Sequence, residues 1–214
     1  MIRRRQHPDA TQATTRLEAF TDGVFAIAAT LLVLDLTTHA LGEVDSDAQL
    51  WAALGGMWEL FLNFGVSFIV LCLLWMTHVQ QFESIARVDA VMTWLNNGRL
   101  LFVVLVPFTT GVATEYSEYY AGRMLMPITF FLAILFSWLQ WRWAVHHRSD
   151  LMPDLPEQDV RTLDRGSLSA VILATSVVVL SPWLGSAAFL MFTLDSLLTR
   201  ALRTGSAGAG TTTG

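Results

Sequence analysis

The chain has 214 residues, of which 53% are hydrophobic and only 14% are charged. Soluble domains carry about 25% charged residues, so this composition excludes an ordinary soluble protein and indicates one embedded in lipid. All 13 basic residues are arginines and the formal net charge is −5, which argues against a nucleic-acid-binding surface. The single cysteine, Cys72, excludes an intrachain disulfide and a cysteine-based metal site.

Six apolar segments have the composition of membrane-spanning helices, which need about 20 residues to cross the hydrocarbon layer. They are predicted over residues 17–36, 51–75, 90–113, 121–145, 167–181 and 184–202. The last two segments are short, and the turn between them is either a tight hairpin or a kink in one long helix. The hairpin is preferred because it leaves both chain termini on the same side of the membrane.

The sequence between and around the spans predicts the domain organisation. Residues 1–15 form a cytoplasmic N-terminal segment, and residues 16–204 form one six-helix transmembrane domain. Residues 146–166 are predicted to be a solvated loop. Residues 205–214 contain only Gly, Ala, Ser and Thr, which predicts a disordered tail. A secretory signal at the N-terminus is the alternative, but no small-x-small cleavage site follows the first apolar run.

The distribution of charge predicts the orientation, because short cytoplasmic loops collect positive residues. With six spans, the arginines of the connecting and terminal segments cluster at one end, which is therefore assigned to the cytoplasm together with both termini. Arg123 is the exception at the outer end. The outer segments instead carry acidic residues, namely Glu43, Asp45, Asp47, Glu115 and Glu118.

The first predicted helix combines a narrow apolar stripe with costly polar residues. At 100° per residue, Ile27, Leu31 and Leu34 share one side of the helix, whereas Asp22 lies about 140° away from Ile27. The stripe either packs against lipid and other helices or lines an ion path as a hydrophobic constriction, with the Thr30 hydroxyl nearby. A stripe from one helix cannot enclose a pore, so the second alternative requires further copies of the helix.

Asp22 also has two interpretations. It either caps a helix that starts at Thr21-Asp22-Gly23 or lies within a longer helix as a packing residue. A helix that begins after Asp22 would leave only residues 24–36, which are too few to span the membrane.

The segment 16–35, RLEAFTDGVFAIAATLLVLD, resembles the first-helix signature R-x-x-x-F-S-D-G-V-F-A-I-x-x-T-L-L-V-L of the endosomal/lysosomal potassium channel family and its bacterial homologues. WMTH at residues 75–78 resembles the W-x-x-H segment that ends the second helix of that family. Residues 95–109 are similar to its third helix. These pieces lie in the first half of the chain, and the last two predicted spans resemble the family only in hydropathy.

The resemblance implies an all-α integral membrane subunit of six helices that assembles as a homotetramer in the bacterial inner membrane. It implies passive potassium conduction through a central pore lined by the first helix, with no cofactor and without a TVGYG filter. In this family the position of Ile27 forms the tightest ring, and those of Leu31 and Leu34 extend the hydrophobic section. The position of Thr30 contributes to potassium preference.

The resemblance also implies a helix-packing network of Arg16, Phe20, Thr21 and Asp22. Thr21 replaces the usual serine of the signature, which keeps the hydroxyl and adds a methyl group. For Asp22 we predict a hydrogen bond to His78 or Asn96 on a neighbouring helix. The predicted partners of the protein are therefore potassium ions, further copies of the chain and membrane lipid.

Two other functions remain open from the sequence. One is a proton- or cation-coupled secondary transporter that uses Asp22 and His78 as a relay, and the other is a non-conducting membrane scaffold. His78 is interpreted as a structural partner rather than a pH sensor. The pair His146 and His147 is interpreted as a solvated helix end rather than a metal site. An enzyme is not predicted, because no nucleophile–base pair or phosphate-binding loop is present.

Overall fold

The computed structural model of the chain describes residues 12–36, 41 and 43–195, and this part is helical apart from one short antiparallel bridge. The bridge pairs β1 (Gln12–Ala13) with β2 (Arg87–Val88). Residues 1–11, 37–40, 42 and 196–214 lie outside the described residues. The predictions made for those segments therefore stay predictions.

Seven α-helices and two 3-10 helices form the described part of the chain. They are α1 (Thr15–Leu31), a 3-10 helix (Leu32–Asp35), α2 (Asp47–Gly56), α3 (Trp58–Glu83), α4 (Ala90–Glu115), α5 (Tyr120–His146), α6 (Arg148–Leu151), α7 (Glu157–Leu184) and the C-terminal 3-10 helix (Gly185–Leu194). Five of the described helical stretches are long and apolar enough to cross a membrane. The predicted all-α, multi-pass membrane architecture is therefore confirmed.

The second predicted span, 51–75, has the wrong bounds. The backbone leaves the helical conformation at Met57, with φ −86° and ψ 14°, after the two glycines that end α2. The spanning helix α3 then continues past Trp75 to Glu83. Its polar last turns are tolerated inside the bundle because they find partners there: the Gln81 side-chain oxygen accepts a hydrogen bond from the Ser137 hydroxyl at 3.2 Å.

The predicted solvated loop 146–166 is also partly wrong. It contains the short helix α6, and α7 begins at Glu157, ten residues before the predicted start of the fifth span. Pro156 precedes the helix in an extended conformation, and acidic residues occupy the first turn, where the helix dipole favours negative charge. Ion pairs such as Arg161 to Glu157, at 3.3 Å, then stabilise a polar helical turn that a hydropathy window does not detect.

The end of α7 is a hairpin, as preferred from the sequence. Gly185 has a positive φ of 54°, a backbone conformation that residues with a Cβ rarely adopt, and the chain reverses there. The C-terminal 3-10 helix returns along α7, so that the Ser169 hydroxyl donates a hydrogen bond to the Asp195 carboxylate at 2.6 Å. The return segment is described only to Asp195 and rises about 20 Å at about 2 Å per residue. A sixth membrane crossing therefore stays a prediction.

Two apolar clusters form the core. The larger cluster joins α1, α3, α4, α5 and α7 in the middle of the bundle. The smaller cluster lies toward the arginine-rich end, and its members include Phe82, Met92, Trp141, Leu151 and Val160. The first helix contributes only one side to this core, which leaves its other side open.

Candidate functional site

One face of α1 attaches the helix to the rest of the subunit. Thr21, Phe25, Ala28 and Leu32 recur every three or four residues and are all buried, with at most 4% of the side chain exposed. This spacing places them on one side of a helix that advances 100° per residue. The attachment face is narrow, so most of the helix circumference faces away from the core.

The opposite face of α1 is open and apolar. Ile27 is 60% exposed, Leu34 is 63% exposed and Leu31 is 38% exposed. We call these three residues the aliphatic stripe. The structure thus brings the predicted stripe together on one surface that faces away from the core. Such a continuous apolar surface is covered by lipid or by other protein when the molecule is in a membrane.

Small residues lie beside the aliphatic stripe. Gly23 has no atom within 4 Å of the position that a Cβ would occupy, and Ala26 is exposed on the same side. Small residues on a membrane helix allow another helix to approach closely. The open face therefore has the shape and composition of a helix–helix contact surface as well as that of an apolar lining.

Thr30 is exposed at the edge of the aliphatic stripe, where its hydroxyl donates a hydrogen bond to the carbonyl oxygen of Ile27 at 2.9 Å. A hydroxyl has one proton and two acceptor lone pairs. Because the proton is directed at the backbone of the helix itself, the lone pairs remain available on the open face. On the open face, the Thr30 hydroxyl therefore presents acceptor lone pairs rather than a donor.

A buried hydrogen bond anchors α1 to α4. The side-chain amide nitrogen of Asn96 donates to the Thr21 hydroxyl oxygen at 2.8 Å, and both side chains are fully buried. Thr21 thus contacts a neighbouring helix, and its role in the predicted packing network stays a prediction. The threonine that replaces the usual serine keeps the hydroxyl contact, and its methyl group lies in the same buried position.

Asp22 has a different partner from the two that we predicted. The indole nitrogen of Trp75 on α3 donates to the Asp22 carboxylate at 2.9 Å, and Asp22 is exposed. The predicted bonds to His78 and Asn96 are therefore wrong. The capping alternative is also wrong, because α1 begins at Thr15, more than one turn before Asp22. Asp22 follows Thr21 by 100° around the helix, which directs its carboxylate at α3 rather than α4.

His78 is buried between aromatic rings and beside Arg99. Its side chain is 1% exposed, with its ring 4.3 Å from the ring of Phe82 and 6.4 Å from that of Phe25. Its Nδ1 atom lies 3.4 Å from the guanidinium of Arg99. Among the described residues, no hydrogen bond joins His78 to Asp22, which a direct relay between them would need.

Arg99 is the residue that the sequence analysis missed. Its side chain is fully buried in the middle of α4 and donates a hydrogen bond to the carbonyl oxygen of Leu74 on α3. Its guanidinium carbon also lies 5.4 Å from the ring centre of Phe25, which is a cation–π contact between α4 and α1. The available signal was a charged side chain within a predicted span, since such residues face protein rather than lipid.

Two predicted members of the packing network are not buried in this subunit. Phe20 is 57% exposed, and Arg16 in the first turn of α1 is also exposed. Neither side chain is therefore enclosed by α3 or α4 of the same chain. A role for Arg16 and Phe20 in holding α1 remains a prediction for the assembled protein.

The histidine pair at the end of α5 belongs to a packed helix end. The ring of His147 lies 4.1 Å from that of Trp143, whose indole nitrogen donates to Asp89 at 2.9 Å. In the part of the chain that the structure describes, no group of three metal-ligating side chains is present. Of the pair that was interpreted as a solvated helix end, His146 is exposed, whereas His147 is half-buried against Trp143.

Comparison with known proteins gives a match to the first half of the chain, which includes α1. Residues 16–107 match the family model of the endosomal/lysosomal potassium channel TMEM175. A potassium channel of Streptomyces collinus is 37% identical over 131 residues, which are 59% of this chain and 62% of that protein. The endosomal/lysosomal proton channel TMEM175 of Mus musculus is 34% identical over 148 residues, which are 64% of this chain and 29% of the mouse protein.

The fold extends the match to most of the chain. The crystal structure of a lysosomal potassium-selective channel TMEM175 homologue from Chamaesiphon minutus superposes with a TM-score of 0.68 and 28% identity, covering 89% of this chain and 97% of that chain. The sequence match spans less than two thirds of the Streptomyces protein and less than one third of the mouse protein. This multi-pass membrane protein is therefore similar to TMEM175-type channels, in sequence over the first half of the chain and in fold over most of it.

Proposed function

We propose that this chain is the subunit of a homotetrameric channel that conducts potassium passively, with the aliphatic stripe of α1 as the pore constriction. The observation that carries the proposal is the open face of α1. Ile27 and Leu34 lie on a spanning helix and are nevertheless 60% and 63% exposed in the single subunit. In the tetramer, four copies of this face surround the pore axis.

Closed symmetry explains why one subunit is not enough. Homo-oligomers form closed rings when each subunit presents the same surface to a common axis. A single helix supplies one stripe, and four stripes enclose a path whose narrowest ring is formed by Ile27. The Streptomyces relative is named a potassium channel and the Chamaesiphon structure a potassium-selective channel, which supports the same cargo here.

The chemistry of the stripe predicts how ions are handled. An aliphatic constriction excludes ions by dewetting when it is narrow and passes them when it widens, so it acts as a gate. Thr30 supplies hydroxyl oxygens next to this ring, and these partly replace the water that the cation loses. Acidic residues at the outer end raise the local cation concentration, an effect that salt screens.

In the proposed topology, six helices cross the membrane and both termini are cytoplasmic. The arginine-rich end of the bundle then faces the cytoplasm, in agreement with the positive-inside rule. The network of Thr21, Asp22, Asn96 and Trp75, together with Arg99, holds α1 at a fixed angle to α3 and α4. Its role in the channel is to keep the aliphatic stripe aligned with the pore axis.

The proposal is tested by potassium flux into liposomes that contain the purified protein, with the oligomeric mass measured on the same sample. Ile27→Asn is expected to raise the flux and to reduce the preference for potassium over sodium, because an amide wets the constriction. Ile69→Asn is the matched control: Ile69 is 59% exposed on α3, and its substitution leaves the flux per tetramer unchanged.

The rival functions give different results in this assay. Intact tetramers without potassium flux would support a scaffold and refute the channel. A flux that saturates and requires a proton gradient would support a coupled transporter. Equal effects of the Ile27 and Ile69 substitutions would remove the aliphatic stripe from the ion path.

A further inference from the structure

A pocket of about 360 Å³ opens at the end of the bundle that carries the acidic segments, and we call it the acidic-end pocket. It lies where α3 begins, α4 ends, α5 begins and α7 turns back. Its lining includes Asn63, which is 6% exposed. The Asn63 amide nitrogen donates to Thr114 at 3.0 Å, and its amide oxygen accepts from Ser186. Part of the pocket wall is therefore fixed by bonds between three helical elements.

Arg123 lines this pocket, and its guanidinium group has N–H donors that are not bonded to an acceptor. Within the described residues its side chain makes no hydrogen bond or ion pair, and its Nε atom is buried without a partner. A buried guanidinium N–H that finds no acceptor is costly. Arg123 also lies in the first turns of α5, where the helix dipole is positive and adds to the charge of the guanidinium. Both features favour an anionic ligand, and the planar fork of arginine fits phosphate oxygens.

Glu59 supplies the opposite charge in the same pocket. It lies in the first turn of α3 and is exposed. Two tryptophans, Trp58 and Trp183, also line the pocket and are 59% and 77% exposed. Tryptophans of this kind mark the boundary between hydrocarbon and headgroups, and their ring faces attract ammonium groups. The pocket lining therefore combines a cationic side chain, an anionic side chain and two tryptophans of the kind found at a membrane boundary.

We propose that the acidic-end pocket binds the headgroup of a zwitterionic phospholipid, with the phosphate on Arg123 and a primary ammonium group on Glu59. An anionic lipid satisfies Arg123 but is repelled by Glu59, and free phosphate lacks the acyl chains that extend into the surrounding hydrocarbon. The bound lipid bridges α3, α4, α5 and the α7 turn. This site is separate from the aliphatic stripe, and it does not depend on ion conduction.

Native mass spectrometry of the detergent-purified protein tests the site with three probes: short-chain phosphatidylethanolamine, short-chain phosphatidylglycerol and inorganic phosphate. We expect phosphatidylethanolamine to bind most tightly and phosphate most weakly. Equal affinity for the two lipids would refute the ammonium contact with Glu59. Phosphate that competes as well as either lipid would show a simple anion site and overturn the lipid proposal.

Two charge-removing variants assign the contacts. Arg123→Gln is expected to lower the affinity for phosphatidylethanolamine about tenfold, because a charge-assisted hydrogen bond is lost. Glu59→Gln is expected to abolish the discrimination between the two lipids. The matched controls, Arg87→Gln at the opposite end and Glu43→Gln outside the pocket, remove the same charges and should leave both affinities unchanged. A loss in Arg87→Gln equal to that in Arg123→Gln would refute the site.

A second measurement on the unmodified protein avoids any folding defect of the variants. Phosphatidylethanolamine is expected to raise the midpoint of thermal unfolding, because it binds only the folded arrangement of four helix ends. Phosphatidylglycerol should raise it less. An equal rise with the two lipids would contradict the proposed headgroup preference.

Discussion

Thr21 and Thr30 lie on the same helix and offer a matched test of how α1 is held and how it acts. Thr21→Val keeps the shape of the side chain but removes the hydroxyl that accepts the 2.8 Å hydrogen bond from Asn96. The Asn96 amide is fully buried and its oxygen has no hydrogen-bond partner among the described residues, so the substitution leaves the amide nitrogen unsatisfied as well. The expected effect is a loss of helix anchoring.

The magnitude follows from the burial of the pair. An unsatisfied buried donor costs about 1–3 kcal/mol in soluble proteins. Hydrogen bonds between membrane helices contribute less, on average about 0.6 and at most about 1.7 kcal/mol. We therefore expect Thr21→Val to lower the free energy of unfolding by about 1–2 kcal/mol, which is a factor of about 5–30 in the unfolding equilibrium.

Thr30→Val is the control on the same helix. The Thr30 hydroxyl is exposed and bonds only the backbone of its own helix among the described residues, so its removal should change the unfolding free energy by less than about 0.5 kcal/mol. It should instead reduce the preference for potassium over sodium, since a cation ligand is lost. Thr21→Ser keeps the hydrogen bond and removes one methyl group, which costs about 0.8 kcal/mol.

The assay is reversible unfolding in mixed micelles, followed by tryptophan fluorescence, together with liposome flux normalised to assembled tetramer. Thr21→Val should unfold more readily, but tetramers that assemble should keep their ion preference, because Trp75 and Arg99 still hold α1. Thr30→Val should unfold like the unmodified protein and lose ion preference. Equal destabilisation by both valine substitutions would refute the anchoring role of Thr21. A normal ion preference in Thr30→Val would refute the ligand role of Thr30.

Further substitutions test the packing of the bundle. Arg99→Ala removes the donor to the Leu74 carbonyl and leaves a cavity, so we expect a loss of about 2–5 kcal/mol in unfolding free energy; a change below 1 kcal/mol would contradict this. Gly122→Ala would place a Cβ 1.9 Å from the Tyr116 carbonyl oxygen, so little folded protein should be recovered by size-exclusion chromatography. Gly166→Ala, in open space on α7, is the control and should raise stability by up to about 1 kcal/mol; equal recovery of both variants would refute the close approach.

The fold could be predicted from sequence where the signal is local. Hydrophobic runs gave the helices near 90–113 and 121–145 almost to the residue, because about 20 apolar residues have few alternatives to a spanning helix. The predicted helix bounds were wrong where polar residues extend a helix beyond its apolar segment. The first turns of α7 and the last turns of α3 are polar and find their partners only in the folded bundle, which a local pattern does not show.

The composition and the periodicity of α1 by themselves determined that this is a membrane protein and that Ile27, Leu31 and Leu34 share one side of its first helix. The 100° step per residue is a property of any α-helix, so the angular separation of Asp22 from this stripe followed once a helix was predicted. The partners of the polar residues were decided only by tertiary packing. Trp75 and Asp22 are 53 residues apart in the sequence, and Arg99 and Leu74 are 25 apart. At such separations, a local sequence pattern does not indicate which side chains are in contact. Hydrogen bonds form where helix crossings place donors and acceptors within about 3 Å, and those crossings depend on the packing of the whole bundle.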